Sequence, residues 1–208
     1  MELAEKLHIE PGITAVIGSG GKTTLLERLA EELQGTVVLA TSTRILPFPG
    51  IPTASCPPLP ERVSCVGEPV DGGKLAAPTC GFEILSAAAD HVVVEADGSR
   101  GLPLKAHAPW EPVIPEGSAQ TILVVGASGF GRPVGSVVHR PEIFCALTGC
   151  TPDDAATPEL VARAIRSEAL AGRLLINQAD TPELMRLARE LGERVGLPYW
   201  AGSLQAGA

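Results

Sequence analysis

Aromatic side chains are scarce in this chain: two Trp, one Tyr and four Phe among 208 residues. Hydrophobic residues still make up 45%, enough to build a core, which must then be an aliphatic one. Positive charge is also in short supply. Lys and Arg number 16 against 24 Asp and Glu, for a net charge of −8 and a pI near 5.0. That balance excludes non-specific binding to DNA or RNA, which rests on phosphate neutralisation. No apolar run approaches the roughly 18 residues of a membrane span. The opening stretch MELAEKLHIEPG is charged and mixed, without the apolar segment of a secretion signal, so the expected compartment is the cytoplasm. The five cysteines (Cys56, Cys65, Cys80, Cys145 and Cys150) are odd in number and contain no C-x-x-C. They read as free thiols in a reducing compartment, and the first three fit no common metal-ligand spacing. Charged residues at 19% with a normal apolar content rule out disorder by composition.

What the chain has in excess is glycine and proline, 23 and 19 residues, about a fifth of its length against an ordinary share nearer 12%. Between them, short apolar runs alternate with helical stretches. Ile13–Ile17, Thr36–Ala40, Val92–Val94, Thr121–Val125 and Leu174–Ile176 read as strands, and LPYWAGSL as a sixth. Thr23–Leu33 carries the stripe Leu25, Leu26, Leu29, Ala30 and Leu33, and Gly35 stops it. Phe82–Ala89, Thr157–Arg166 and Pro182–Val195 read as further helices. Strands apolar on both faces belong in a parallel sheet covered by helices. The expected fold is therefore an α/β, three-layer domain with a mainly parallel sheet, as a single unit over residues 1–208. One segment breaks the rhythm. Residues 44–80 hold eight prolines and little helical period, and read as an insertion or mobile segment. Within it, VSCVGEPVDGGKLA could form a hairpin turning at Asp71-Gly72-Gly73.

The strongest chemical signal follows the first strand: Gly18-Ser19-Gly20-Gly21-Lys22-Thr23-Thr24, with a helix directly after it. Strand, glycine loop and helix in that order make a phosphate cradle. Glycines let backbone N–H groups turn toward an anion, and the helix start adds partial positive charge. Lys22 would neutralise the β- and γ-phosphates and Thr23 would reach Mg²⁺. The longer pattern G-x-x-x-x-G-K-[ST] asks for glycine where Val16 stands, so this is a short form of the loop, similar to that of the Mur ligases. A magnesium site needs a carboxylate at the end of a neighbouring strand. The run ending in Glu95-Ala96-Asp97 supplies two: Glu95 as a metal ligand, and Asp97 as a second ligand or a water-positioning group. Arg100, Lys105 and His107 follow closely and could meet a γ-phosphate or an anionic substrate. Thr41 and Thr43 end the second strand, and His139-Arg140 opens a helix after a glycine-rich loop. All four are candidate phosphate or substrate contacts. After the fifth strand stands Asn177-Gln178-Ala179-Asp180, which resembles the N-K-x-D guanine signature with Gln in place of Lys. Asn177 could bond the purine N7 edge, and Asp180 could accept from N1–H and the 2-amino group of guanine, which adenine lacks. GTP and ATP both stay open.

Taken in order, IGSGGKTTLL, TSTR, GKLA, VVVEADGSRGLPLKAH, EPVIP, HRPE and INQAD resemble the YqeC-type proteins, selenium-dependent hydroxylase accessory proteins. The resemblance runs from about Gly12 to Leu204, and EADGSRGLPLKAH is its most specific piece. It implies a P-loop NTPase-like fold and a link to molybdenum hydroxylases and their cofactor-maturation proteins as partners. Three functions compete on this reading. One is an accessory factor that binds and hydrolyses a purine nucleotide with Mg²⁺. Another is a nucleotide-dependent kinase or ligase acting on a small acid or cofactor. The third is a non-catalytic nucleotide-sensing module. A dinucleotide-binding Rossmann protein fits less well, because its loop does not call for Lys-Thr-Thr.

Overall fold

The structure is a computed structural model and describes residues 2–205. Its strands are, in chain order, β1 (Gly12–Gly18), β2 (Val37–Thr41), β3 (Arg44–Ile45), β4 (Thr53–Ala54), β5 (Val63–Val66), β6 (Glu68–Val70), β7 (Lys74–Ala76), β8 (His91–Glu95), β9 (Leu104–Lys105), β10 (Gln120–Gly126), β11 (Val138–His139), β12 (Arg173–Asn177) and β13 (Tyr199–Ala201). The helices are α1 (Leu3–Lys6), α2 (Lys22–Glu32), α3 (Phe82–Ala88), α4 (Val134–Val137), α5 (Pro141–Thr148), α6 (Pro158–Glu168) and α7 (Pro182–Val195). Eight strands make one mainly parallel sheet, order β13-β12-β10-β1-β8-β2-β5-β4, flanked by helices. This is the α/β class that the alternating pattern predicts. Every residue of β2 and of β8 is buried. That is why their sequences are continuous apolar runs rather than alternating ones. Among the described residues no helix is long and apolar enough to cross a membrane.

The chain divides into two compact units. One takes in the chain up to Val16, Thr23–Gly98 and Val113–Thr121. Here β8 lies between β1 and β2, parallel to both, with Glu95 in register with Val16 on one side and Thr41 on the other. Ile13, Val38, Ala40, Val66, Leu85, Val92 and Val94 form a core cluster. The α2 stripe is buried as its spacing demands: Leu25, Leu26, Leu29, Ala30 and Leu33 are all in the core. The start of the sheet is clamped by a reciprocal pair. The Asp90 carboxylate accepts from the Thr36 N–H (2.7 Å) and hydroxyl (2.8 Å), while the Thr36 hydroxyl accepts from the Asp90 N–H (2.9 Å). In the proline-rich segment, β6 and β7 form the expected hairpin around Asp71-Gly72-Gly73 and join β3 in a small antiparallel sheet. From the same segment β4 and β5 enter the large sheet in parallel, with β5 against β2.

The other unit takes in Ile17–Lys22, Ser99–Pro112 and the chain from Ile122 onward. It holds β10, β12 and β13, all parallel, and the packed pair α6 and α7. Both helices open on the same four residues, Thr-Pro-Glu-Leu. Thr157 caps α6 by accepting from the Leu160 N–H, and Thr181 caps α7 by accepting from the Leu184 N–H. Proline at the first helical position and glutamate at the second suit a helix start, where N–H groups are unpaired and the dipole is positive. A short strand pair, β9 with β11, runs Val138 beside Leu104 and His139 beside Lys105.

The carboxyl end of α2 has no basic residue in its last turn. Arg62, at the entry to β5, supplies the missing donors, reaching the carbonyls of Leu33 (2.9 Å), Gly35 (3.0 Å) and Ala30 (3.2 Å). The Ala30 and Leu33 carbonyls belong to the helix end, where a positive charge suits the dipole. Replacing Arg62 with Ala is expected to lower unfolding free energy by about 1 kcal/mol, read as a lower denaturant midpoint. Arg62→Lys should recover only part of it, since one ammonium lacks the guanidinium's spread of donors.

Candidate functional site

β1 ends at Gly18 and α2 begins at Lys22, so the glycine-rich loop makes the whole turn in three residues. Gly18, Gly20 and Gly21 have φ of 89°, 87° and 129°, a region that side chains disfavour. Space is equally strict. A Cβ on Gly20 would lie 2.4 Å from the Gly126 nitrogen, and one on Gly21 would lie 2.3 Å from Asn177 Nδ2. Hydrogen bonds within its unit hold the loop. The Ser19 N–H donates to the Val124 carbonyl (2.9 Å), Lys22 Nζ donates to the Gly18 carbonyl (2.7 Å), and Asn177 Nδ2 donates to the Gly20 carbonyl (2.8 Å). In a planar trans peptide the carbonyl and the next N–H point opposite ways. Drawing the Gly20 carbonyl onto Asn177 therefore turns the Gly21 N–H away from Asn177. Lys22 is buried, and its ammonium also donates to Ser99 Oγ at 3.4 Å. Ser19 Oγ is fully buried and, among the described residues, has no hydrogen-bond partner. A buried hydroxyl in such a state costs free energy unless something accepts from it or donates to it. A glycine turn too tight for a Cβ, a buried lysine and an orphaned serine hydroxyl together fit an anion, and a phosphate group above all.

In the other unit the predicted metal ligands gather at the carboxyl ends of β2 and β8. The carbonyl of Glu95 accepts from the Thr41 hydroxyl (2.9 Å) and from the Ser42 N–H (3.1 Å). Its carboxylate, buried at the strand end, accepts from Thr23 Oγ1 at 3.3 Å. Thr41 Oγ1 also accepts from the Thr43 N–H (3.0 Å), and the two threonine hydroxyls lie 3.3 Å apart. Asp97 is fully buried just beyond Ala96, whose N–H still pairs with the Val16 carbonyl at 2.9 Å. Thr24 sits half-buried on α2. The Thr23 hydroxyl and the Glu95 carboxylate are the hard oxygen donors that Mg²⁺ takes. Among the described residues no three His, Cys, Asp or Glu side chains cluster to hold a metal by themselves. A magnesium ion here would draw its remaining ligands from water and phosphate, its usual habit in nucleotide sites.

The cationic stretch is arranged differently. Lys105 Nζ pairs with Glu111 Oε2 (3.0 Å) and Arg140 Nε with Glu111 Oε1 (2.7 Å), so one carboxylate bridges both cations. His107 meets Glu168 twice, through its backbone N–H (2.7 Å) and through Nδ1 (2.8 Å). Burial alone would raise the Glu111 pKa, but the hydrogen bonds from Arg140 and Lys105 and the Lys105 charge outweigh it and hold the carboxyl below its ordinary value. His139 is pushed down, first by burial and then by the charges of Lys105 and Arg140. The Arg140 guanidinium also lies over the exposed Trp110 ring, 5.4 Å from its centre. Arg100 stands exposed in a left-handed turn, φ 51°. In the Asn177–Asp180 stretch, Asn177 spends both ends of its amide on backbone. Nδ2 donates to Gly20, and Oδ1 accepts from the Leu204 N–H at 2.8 Å. Gln178, φ 61°, accepts from the Ser128 hydroxyl at 2.6 Å, and Asp180 is exposed.

Glu111, Glu168 and Ser99 are partners that the sequence reading passed over. Glu111 had a signal, an acid in a stretch rich in cations. Glu168 had none, being 61 residues from His107. A family model described as YqeC protein matches residues 14–142, which include the loop, Glu95, Asp97 and Arg140. YqeC of Escherichia coli (strain K12), described as an uncharacterized protein, is 36% identical over 163 residues. That match covers 69% of this chain and 63% of the relative, so the chain spans less than two thirds of the relative's length.

The Glu111 bridge carries a pH signature. A carboxyl whose pKa is lowered by folding stabilises the fold above its unfolded value, and that contribution is lost as pH falls through the folded value. Glu111→Gln is expected to be less stable than the natural protein near pH 7, by about 1 kcal/mol. The gap should close as pH drops below the ordinary glutamate range. Parallel chemical denaturation at neutral and acid pH reads it, and a gap that stays constant with pH would contradict the assignment.

Proposed function

The chain belongs to the YqeC family, and on that premise we propose that it binds a purine nucleoside triphosphate, GTP or ATP, with Mg²⁺ and hydrolyses it. The observation that carries this reading is the turn from Gly18 to Lys22. It is a glycine loop with three positive φ values, a buried ammonium and a buried, orphaned Ser19 hydroxyl, set where a parallel strand hands over to a helix. In the proposal, phosphate oxygens take the Ser19 hydroxyl, loop N–H groups and the Lys22 charge, and Thr24 follows them on the first turn of α2. Thr23 and Glu95 would hold Mg²⁺, whose contribution is to neutralise phosphate charge. Asp97 positions a water for attack on the γ-phosphate, the same task that orienting groups perform in other phosphoryl-transfer sites. Thr41 and Thr43 fix the Glu95 backbone, so their role is positioning. Asn177 likewise serves the loop's shape, and Asp180 is left to meet the base edge. The accessory role toward molybdenum hydroxylases and their maturation proteins comes from the family resemblance, with nucleotide turnover as the step that would release partner or cargo.

Thermal unfolding with GTP and with ATP, each with and without Mg²⁺, tests the reading, since a ligand that binds the folded state raises the melting temperature as its concentration passes Kd. The expected outcome is a Mg²⁺-dependent rise of several degrees with at least one of the two nucleotides. Lys22→Ala should weaken binding at least tenfold and abolish phosphate release. No shift with either nucleotide at millimolar concentration would sink the proposal.

A further inference from the structure

Helix α5 ends in a glycine cap whose geometry has chemical consequences. Gly149 takes φ 73° and its N–H closes on the Cys145 carbonyl at 2.8 Å. In this left-handed helix end, the residue after the glycine folds back over the side chain five positions earlier, and the two usually make an apolar contact. Here both positions are cysteine. Cys150 Sγ lies 3.7 Å from Cys145 Sγ, and both residues are half-buried rather than sealed in the core. The contact is a product of the cap itself, so the two thiols are held together by backbone geometry without a partner segment from elsewhere. Thr148 Oγ1, which donates to the Phe144 carbonyl at 2.7 Å, also lies 3.1 Å from Cys150 Sγ. Its proton can turn to that sulfur when the thiol ionises.

We infer that Cys145 and Cys150 are a preorganised dithiol that closes reversibly to a disulfide on reaction with a low-molecular-weight disulfide such as glutathione disulfide. The Cys150 thiolate, next to the Thr148 hydroxyl, attacks one sulfur of the oxidant. A protein–glutathione mixed disulfide forms and one glutathione thiolate leaves. The Cys145 thiolate then attacks Cys150 Sγ, the Cys145–Cys150 bond forms and the second glutathione leaves. The protein loses two hydrogens and the oxidant is reduced to two thiols. Before reaction, burial and the neighbouring Cys150 thiol hold Cys145 protonated, with its pKa pushed up to about 11. In the mixed disulfide the Cys145 sulfur stands beside the sulfur it must attack, which favours the second step. The sulfurs must close from 3.7 Å to a bond of about 2.05 Å. Such a short, solvent-reachable bridge belongs to the labile, reversible class rather than the structural one. Its place is the end of α5 opposite Arg140, the cation that grips Glu111. Cys65, by contrast, is buried in β5, and burial pushes its thiol up to about 11.

The experiment incubates the full-length native protein in glutathione buffers of rising disulfide-to-thiol ratio, then quenches with acid, alkylates and maps peptides by mass. The expected result is that Cys145 and Cys150 lose alkylation together, in one peptide lighter by two hydrogens, and that dithiothreitol restores both. In Cys145→Ser the reaction should stop after the first step, leaving a stable glutathione adduct on Cys150. Two thiols that stay alkylatable under a ratio that fully oxidises free dithiothreitol would overturn the inference. So would two separate glutathione adducts on the natural protein with no bridge between the sulfurs.

Discussion

A buried ammonium must have oxygen around it, and that requirement organises the loop. Lys22 is 5% exposed, and an unmet charge at that depth would cost several kcal/mol. The Gly18 carbonyl meets it at 2.7 Å. To do so the backbone turns through conformations only glycine tolerates, and it is pressed so close to Gly126 and Asn177 that a single Cβ would collide. Asn177 then fixes the next carbonyl, Gly20, and is itself anchored by the Leu204 N–H. The loop's shape is therefore set by contacts within the chain itself.

The same rule applies to the other basic side chains. Arg100, Lys105, His107, His139 and Arg140 read in sequence as a collection of anion contacts. In the fold, Lys105 and Arg140 share Glu111, and His107 is clamped by Glu168. The Lys105 ammonium is sealed from solvent, and a charge at that depth needs an acidic partner. Glu111 thus ties Lys105 of β9 to Arg140 at the start of α5. Arg100 differs from them by lying exposed in a left-handed turn.

The strands and the main helices were legible in the sequence because burial on both faces leaves no room for polar residues. HVVVE and TVVLA had no other place to go than the middle of a parallel sheet. The tight glycine turn was legible because glycines at three near-consecutive positions between a strand and a helix mark a backbone that other residues cannot follow. The hairpin at Asp71-Gly72-Gly73 was legible from turn chemistry. What could not be read was long-range pairing. Nothing near Arg62 announces that it caps α2, and nothing near His107 points to Glu168. The strands β4 and β5 were hidden because prolines and short lengths blur their period. Cys145 and Cys150 show the opposite limit. Their spacing matches no motif, yet a glycine cap of ordinary type brings the two sulfurs together.

The central claim is that the Gly18–Lys22 turn recognises phosphate rather than merely closing a strand onto a helix. Calorimetric titration of the natural protein with a purine nucleoside triphosphate, the matching diphosphate and the bare nucleoside, all with Mg²⁺, addresses it most directly. A phosphate cradle predicts that affinity falls stepwise as phosphates are removed, with the nucleoside weaker than the triphosphate by at least a hundredfold. Equal affinity for nucleoside and triphosphate, or no heat with any of the three, would contradict it.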